Sequence, residues 1–236
     1  MSAAIELDKV RFSWSSQAPI IDIEHWRVDY GDTLLLRGAS GSGKSTLLSL
    51  LAGINKPQRG EICLLGSDIT RLSARQRDKF RADHIGYIFQ QFNLLPYLSA
   101  HENVLLGVHF SALRRQRLTQ SATQTATDYL TRLGLSKQQQ QQPAAVLSVG
   151  QQQRVAAARA LIGAPEILIA DEPTSALDTE HRDVFIKLLL ELSQANNTTV
   201  VFVTHDATLA GHFNTHTELS QLNPLPQTAS AGGSNV

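Results

Sequence analysis

The chain has 236 residues, 42% of them hydrophobic, enough for one sizeable core with a secondary lobe beside it. Its 21 Lys plus Arg balance 21 Asp plus Glu, so there is no electrostatic case for nucleic acid or for a polybasic membrane anchor. The single cysteine, Cys63, excludes an internal disulfide framework and suits a reducing compartment, and no run approaches the ~18 apolar residues that span a bilayer.

Met1 to Val10 is charged and alternating, unlike an apolar signal segment. Val10, Phe12 and Trp14 alternate, as do Ile21 and Ile23, which predicts antiparallel strands joined by a turn at Ser15 to Pro19. After the turn Tyr30-Gly31-Asp32, Thr33 to Leu36 reads as a buried strand. It runs into Gly38-Ala39-Ser40-Gly41-Ser42-Gly43-Lys44-Ser45-Thr46, which fits the phosphate-loop pattern G-x-x-x-x-G-K-[ST] at every fixed position. Small residues let backbone N–H groups turn inward on a polyphosphate, Lys44 reaches the β- and γ-phosphates, and the Ser45 hydroxyl holds Mg²⁺. Ser45 to Ala52 reads as the helix leaving the loop, with its dipole aimed at the phosphates and Gly53 as its stop.

Gly60 to Leu65 predicts a strand, residues 73 to 83 a solvated helix, and Ile85 to Phe89 a short strand ending at Gln90. From residue 96 to 146 strand signals vanish and polar helical stretches take over. Lys137 to Pro143, with its glutamine run, reads as a solvated connection between helices. Ser148 is the expected N-cap of an Ala-rich helix over Gln151 to Ile162, closed by Gly163 and Pro165. Ile167 to Ala170 is continuously apolar, as a strand buried on both faces should be. Val184, Phe185, Leu188, Leu189 and Leu192 sit at helical spacing, and Thr198 to Val203 is a further buried strand. Such alternation predicts an α/β fold with a mainly parallel sheet. From Asn223 to Val236 the Pro, Ser, Gly and Ala content reads as a loose tail.

In a parallel sheet, ligands sit at the carboxyl ends of the strands. Gly38, Gln90, Asp171 and His205 all lie just past such ends and should converge on one crevice. Asp171 is placed to hold Mg²⁺ from the second side, and Glu172 to accept a proton from an attacking water.

The order of these motifs resembles the nucleotide-binding subunit of an ABC transporter, over roughly residues 4 to 210. Many NTPases share a phosphate loop; Leu147-Ser148-Val149-Gly150-Gln151 ahead of Ile167 to Glu172 is far more specific. The resemblance implies a P-loop NTPase core, an N-terminal antiparallel β subdomain and an inserted helical subdomain at about 96–158. The ATPase domain would span 1–222, with a flexible tail over 223–236. It implies that Trp14 stacks on adenine (Phe12 being the competing candidate) and that Gly38, Ser40, Gly41, Ser42, Gly43, Lys44, Ser45 and Thr46 hold the phosphates of ATP. Ser45, Gln90 and Asp171 would hold Mg²⁺; Glu172 would be the general base, with Gln90 and His205 beside it. Ser148, Gly150, Gln151 and Asp178 would meet the second ATPase subunit of a head-to-tail dimer. The implied function is ATP hydrolysis that drives a transmembrane permease by dimer closure and opening, from a cytoplasmic, peripheral position on the membrane's inner face. The stretch Ile85 to Pro96, with Glu102-Asn103-Val104, looks most like the subgroup serving lipoprotein release, macrolide-type efflux and cell division. The alternative within that subgroup is a mechanotransmitting ATPase that moves no substrate. The GTPase-like start Asn55-Lys56-Pro57-Gln58 lacks the acid that reads guanine and lies too close to the phosphate loop.

The chain departs from the family pattern in two places. Val149 stands where the signature usually has its first glycine, and a β-branched residue resists positive φ. After His205 the usual closing strand is hard to find, and His212 to Leu222 fits it poorly, so a truncated or irregular edge is expected.

Overall fold

The computed structural model describes residues 3–15, 18–175 and 179–225. In chain order the elements are β1 (Ala3–Phe12), β2 (Ile21–Asp29), β3 (Thr33–Arg37), α1 (Lys44–Leu51), β4 (Arg59–Leu64), β5 (Ser67–Asp68), α2 (Ala74–His84), β6 (Ile85–Ile88) and α3 (Ala100–His109). Then come α4 (Ala112–Gln116), α5 (Ala122–Arg132), α6 (Lys137–Gln140), α7 (Val149–Leu161), β7 (Ile167–Asp171), α8 (Thr179–Ala195), β8 (Thr199–Thr204), β9 (Thr215–Glu218) and α9 (Leu219–Leu222).

The strands form two sheets. One is antiparallel with order β2-β1-β4-β5; the other has order β6-β7-β8-β3-β9 and every pair in it is parallel. The parallel strands read as unbroken apolar runs because both of their faces are covered. Leu35, Leu168, Ala170, Val200 and Phe202 face the core built with α3, α5, α7 and α8. Leu34, Leu36, Ile167, Ile169, Val201 and Val203 face the second core, shared with α1 and the antiparallel sheet. Helices α3 to α6 follow β6, and α7 returns the chain to β7.

α7 lies close to its neighbours because two glycines allow it. A Cβ on Gly86 would fall 2.4 Å from the Ala160 carbonyl oxygen, and one on Gly107 would fall 2.2 Å from that of Arg159.

Four expectations change. The glutamine run is largely solvated but is a short helix rather than a plain connection. Ser136 and Gln139 form a capping box that starts α6, and Gln140 is buried, donating to the Leu135 carbonyl and to Thr131 Oγ1. A reciprocal cap plus one buried amide outweighs low complexity. In α8 the buried face is Phe185, Ile186, Leu189 and Leu192, whereas Val184 is exposed. A closing strand does exist: β9 pairs with β3 from Leu34↔Thr215 to Arg37↔Glu218. Its pattern is weak because it is a four-residue edge strand of polar residues. Finally, Asn223, expected to open a loose tail, is buried and hydrogen-bonded to the start of β2.

Candidate functional site

The parallel register sets the site. Arg37 pairs with Thr204 and Asp171 with Val203, so the residues that follow these strands emerge side by side along one edge. Gly38 opens the phosphate loop there, Glu172 follows β7 and His205 follows β8. Gln90 lies just beyond β6 on the same edge, with an exposed side chain.

Helix α1 begins where the loop ends. Its N-cap, Gly43, has φ +98° and supplies no side-chain cap. By contrast α2, α3, α6 and α7 all start with a serine capping box. The first-turn N–H groups of α1 are thus left for an anion, where the helix dipole also favours negative charge. A Cβ on Gly38 would lie 2.7 Å from Ser42 Oγ, and that hydroxyl is buried without a partner. Such a tight, polar-lined loop suits close approach of phosphate oxygens.

Lys44 is 8% exposed, and its Nζ donates to the Gly38 and Ala39 carbonyls at 2.8 and 2.9 Å. The same ammonium lies 3.6 Å from Glu172 Oε1. His205 Nδ1 lies 3.5 Å from that oxygen on the other side. Glu172 takes φ +43°, an uncommon left-handed conformation for a residue with a side chain, while its N–H still donates to the Val203 carbonyl. The β7–β8 ladder therefore carries one bond past the strand before the chain turns at Glu172. Burial pushes the Asp171 carboxyl above its ordinary range, the neighbouring Glu172 charge adds to this, and Lys44 opposes it.

Trp14 is 60% exposed and hence not a core strand residue. Its Nε1–H donates to Thr46 Oγ1 at 3.2 Å, and its ring meets Phe12 edge-on at 5.0 Å between centroids. Phe12 is buried in the core, which leaves Trp14 as the aromatic with an open face beside the loop.

Ser148, Gly150 and Gln151 stand apart at the start of α7. Ser148 Oγ accepts from Gln151 N–H, and Gln151 Oε1 accepts from Ser148 N–H. Val149 is the first residue of that helix and 49% exposed, so its backbone is helical and the expected resistance to positive φ does not arise. Asp178 lies outside the described residues.

Sequence reasoning missed Arg159. Its Nη2 donates to the Phe92 carbonyl at 2.5 Å and its Nη1 to the Asn93 carbonyl at 2.7 Å. Phe92 and Asn93 have φ +58° and +48°, so α7 grips the two left-handed residues that follow the Gln90 segment. A guanidinium set in the Ala156 to Ala160 run of α7 was the available signal.

Comparison with known proteins identifies the family. The family model described as ABC transporter matches residues 22–175. This chain belongs to the ABC transporter family. As the family's ATP-binding, ATP-hydrolysing subunit, it is 45% identical over 183 residues to the uncharacterized ABC transporter ATP-binding protein YbbA of Escherichia coli (strain K12), covering 78% of each chain. It is 38% identical over 213 residues to the macrolide export ATP-binding/permease protein MacB 1 of Yersinia pestis bv. Antiqua (strain Antiqua), covering 89% of this chain and 32% of that one. Among solved structures, the dimeric post-hydrolysis state of the ATP-binding cassette MJ0796 bound to ADP and Pi superposes with TM-score 0.80 at 34% identity, over 91% and 93% of the two chains.

The donor set also fits a divalent cation shared with ATP. Among the described residues no three His, Cys, Asp or Glu side chains cluster as a resident metal site. Ser45, exposed in the first turn of α1, and Asp171, whose charge its surroundings disfavour, instead suit an ion completed by phosphate oxygens.

Proposed function

We propose that the cassette hydrolyses Mg-ATP at this edge and transmits closure of an ATPase dimer to a separate transmembrane permease. The observation that carries the reading is the convergence of Lys44 and His205 on Glu172, at 3.6 and 3.5 Å, beside the uncapped start of α1. Trp14 stacks on adenine, and Gly38 and Ser40 to Thr46 hold the phosphates. Ser45, Asp171 and Gln90 would hold Mg²⁺, which would supply neutralisation of phosphate charge. Lys44 leaves its loop carbonyls for the phosphates. Glu172 takes the proton of the attacking water, with Gln90 orienting that water and His205 donating toward the γ-phosphate.

Ser148, Gly150 and Gln151 serve the ATP of the second subunit, as does Asp178. Their place on α7, away from the hydrogen bonds of the phosphate loop, supports head-to-tail pairing. So does the dimeric state named for MJ0796. MacB joins ATP-binding and permease functions in one name, which supports coupling of this cassette to a permease.

Among the described residues no helix is long and apolar enough to cross a membrane; attachment at the cytoplasmic face of the membrane is part of the proposal and would run through the permease. The permease's surface segment docks in a groove of about 640 Å³ lined by Tyr87, Phe89, Leu106, Phe110, Arg114 and Arg159. Phe110 is 76% exposed there, so the groove suits an apolar segment. Phe89 joins this groove directly to Gln90.

The test is ATP hydrolysis by the purified chain with magnesium, with excess chelator, and as Lys44→Ala. Chelator and substitution should each remove turnover nearly completely. Wild-type turnover in a clean Lys44→Ala preparation would overturn the central assignment.

A further inference from the structure

The turn after β9 packs against the Gly38 end of the phosphate loop. Leu219 is fully buried, and its Cβ lies 3.2 Å from where a Cβ on Gly38 would stand. Arg37, just before the loop, pairs with Glu218. Four residues past Leu219, Asn223 is 6% exposed, and its own N–H returns to the Leu219 carbonyl at 2.7 Å. Its side chain then reaches across to the start of β2: Oδ1 accepts from Asp22 N–H at 2.7 Å, and Nδ2 donates to the Ile20 carbonyl at 2.8 Å.

Ile20 is the hinge of that contact. Its N–H donates to the Phe12 carbonyl at 2.8 Å, which closes the loop carrying Trp14. It also packs on the far end of the phosphate loop, since a Cβ on Gly43 would lie 3.3 Å from both Ile20 Cγ2 and the Ile20 carbonyl oxygen. Gly38 and Gly43 thus bracket the loop, one against the C-terminal turn and the other against the residue that turn holds. Gly41, between them, has nothing within 4 Å of its Cβ position.

We infer that Asn223 is a positioning residue for ATP binding, locking the base of the Trp14 loop and the Gly43 end of the phosphate loop into one arrangement. The inference rests on the reading of Trp14 and the phosphate loop as the ATP site. Asn223 supplies both a donor and an acceptor where β2 has an unpaired carbonyl and N–H, a demand that an amide meets and a carboxylate or alkyl chain does not. Without it, Ile20 is free to move off Gly43, and ATP must order the two loops as it binds.

The experiment uses the full chain and titrates a fluorescent ATP analogue with magnesium, well below the melting temperature. Wild type and Lys44→Ala calibrate the site. Asn223→Leu keeps the volume and loses both bonds; its Kd should rise about tenfold, ~1.4 kcal/mol. KM for ATP should rise with it, while kcat at saturation falls by less than about threefold. Asn223→Asp keeps the acceptor alone and should fall between the two, and it stands in if the leucine variant does not fold. A folded Asn223 variant with lowered melting temperature but wild-type Kd and KM would overturn the inference, since the residue would then fasten the fold only. Wild type that binds no nucleotide would overturn the site reading along with it.

Discussion

Glu172→Gln tests the catalytic assignment most sharply. The substitution keeps the shape and one oxygen at the point between Lys44 and His205, and removes the charge and the proton acceptor. A carboxylate about 4 Å from an ammonium attracts it by roughly 4 kcal/mol gross at an effective dielectric near 20. The Glu172 side chain is 18% exposed and that of Lys44 8%, so solvent screens little of this. Lys44 keeps the Gly38 and Ala39 carbonyls after the change, so it is not left unpaired, and one competitor for its charge is gone. ATP affinity should therefore hold or tighten. Turnover should fall by roughly 10²–10⁴, the contribution of a positioned general base, which is ~3–5 kcal/mol of barrier. ATP that is bound between two subunits and not hydrolysed favours the closed pair by mass action. Size-exclusion chromatography should show a dimer with Mg-ATP and a monomer without it. Ser148→Arg in the same chain should abolish the dimer, because the added bulk sits where the other subunit's γ-phosphate docks. A Glu172→Gln chain that stays monomeric at saturating ATP would count against the sandwich. One that hydrolyses at the wild-type rate would refute the assigned base.

Val149→Gly should change turnover by less than about tenfold, ~1.4 kcal/mol of barrier, because Val149 already has a helical backbone and needs no glycine. If instead it switches on a dead enzyme, the valine blocks the partner's nucleotide. Glu166 predicts an acid limit to stability. Burial alone would raise its pKa, but hydrogen bonds from His84 and Arg117 prevail and bring it from 4.5 down to about 2. The folded-state pKa is depressed, so this stabilisation is fully present above about 4.5 and is lost as pH falls toward about 2. Glu166→Gln should cost about 1.5–3 kcal/mol at neutral pH and flatten the loss of stability across that window in urea melts. An unchanged acid profile would show that this cluster does not hold the α2 and α4 ends to β7.

The sequence by itself determined most of the core and the chemistry along one edge. Phosphate binding needs small residues and a lysine at close spacing, and a strand buried on both faces needs an unbroken apolar run. Both demands are local, so Gly38 to Thr46, Ile167 to Glu172 and Val200 to His205 were legible without coordinates. The capping serine of α7 was legible for the same reason, since Ser148 and Gln151 satisfy each other within one turn. What only the tertiary structure decided depends on partners far along the chain. Thr215 to Glu218 has no strand pattern of its own and becomes β9 only because β3 offers it an edge. Nearer by, Gln140 of the glutamine run became buried by donating to the Leu135 carbonyl and to Thr131 Oγ1, which its low-complexity surroundings do not announce. Phe12 and Trp14 alternate in sequence, yet one entered the core and the other was left 60% exposed beside Thr46. Arg159 and Asn223 look like a surface charge and a tail residue. Their roles appear only once backbone carbonyls at Phe92, Asn93 and Ile20 arrive from elsewhere, because a hydrogen bond across 67 or 203 residues leaves no trace in local composition.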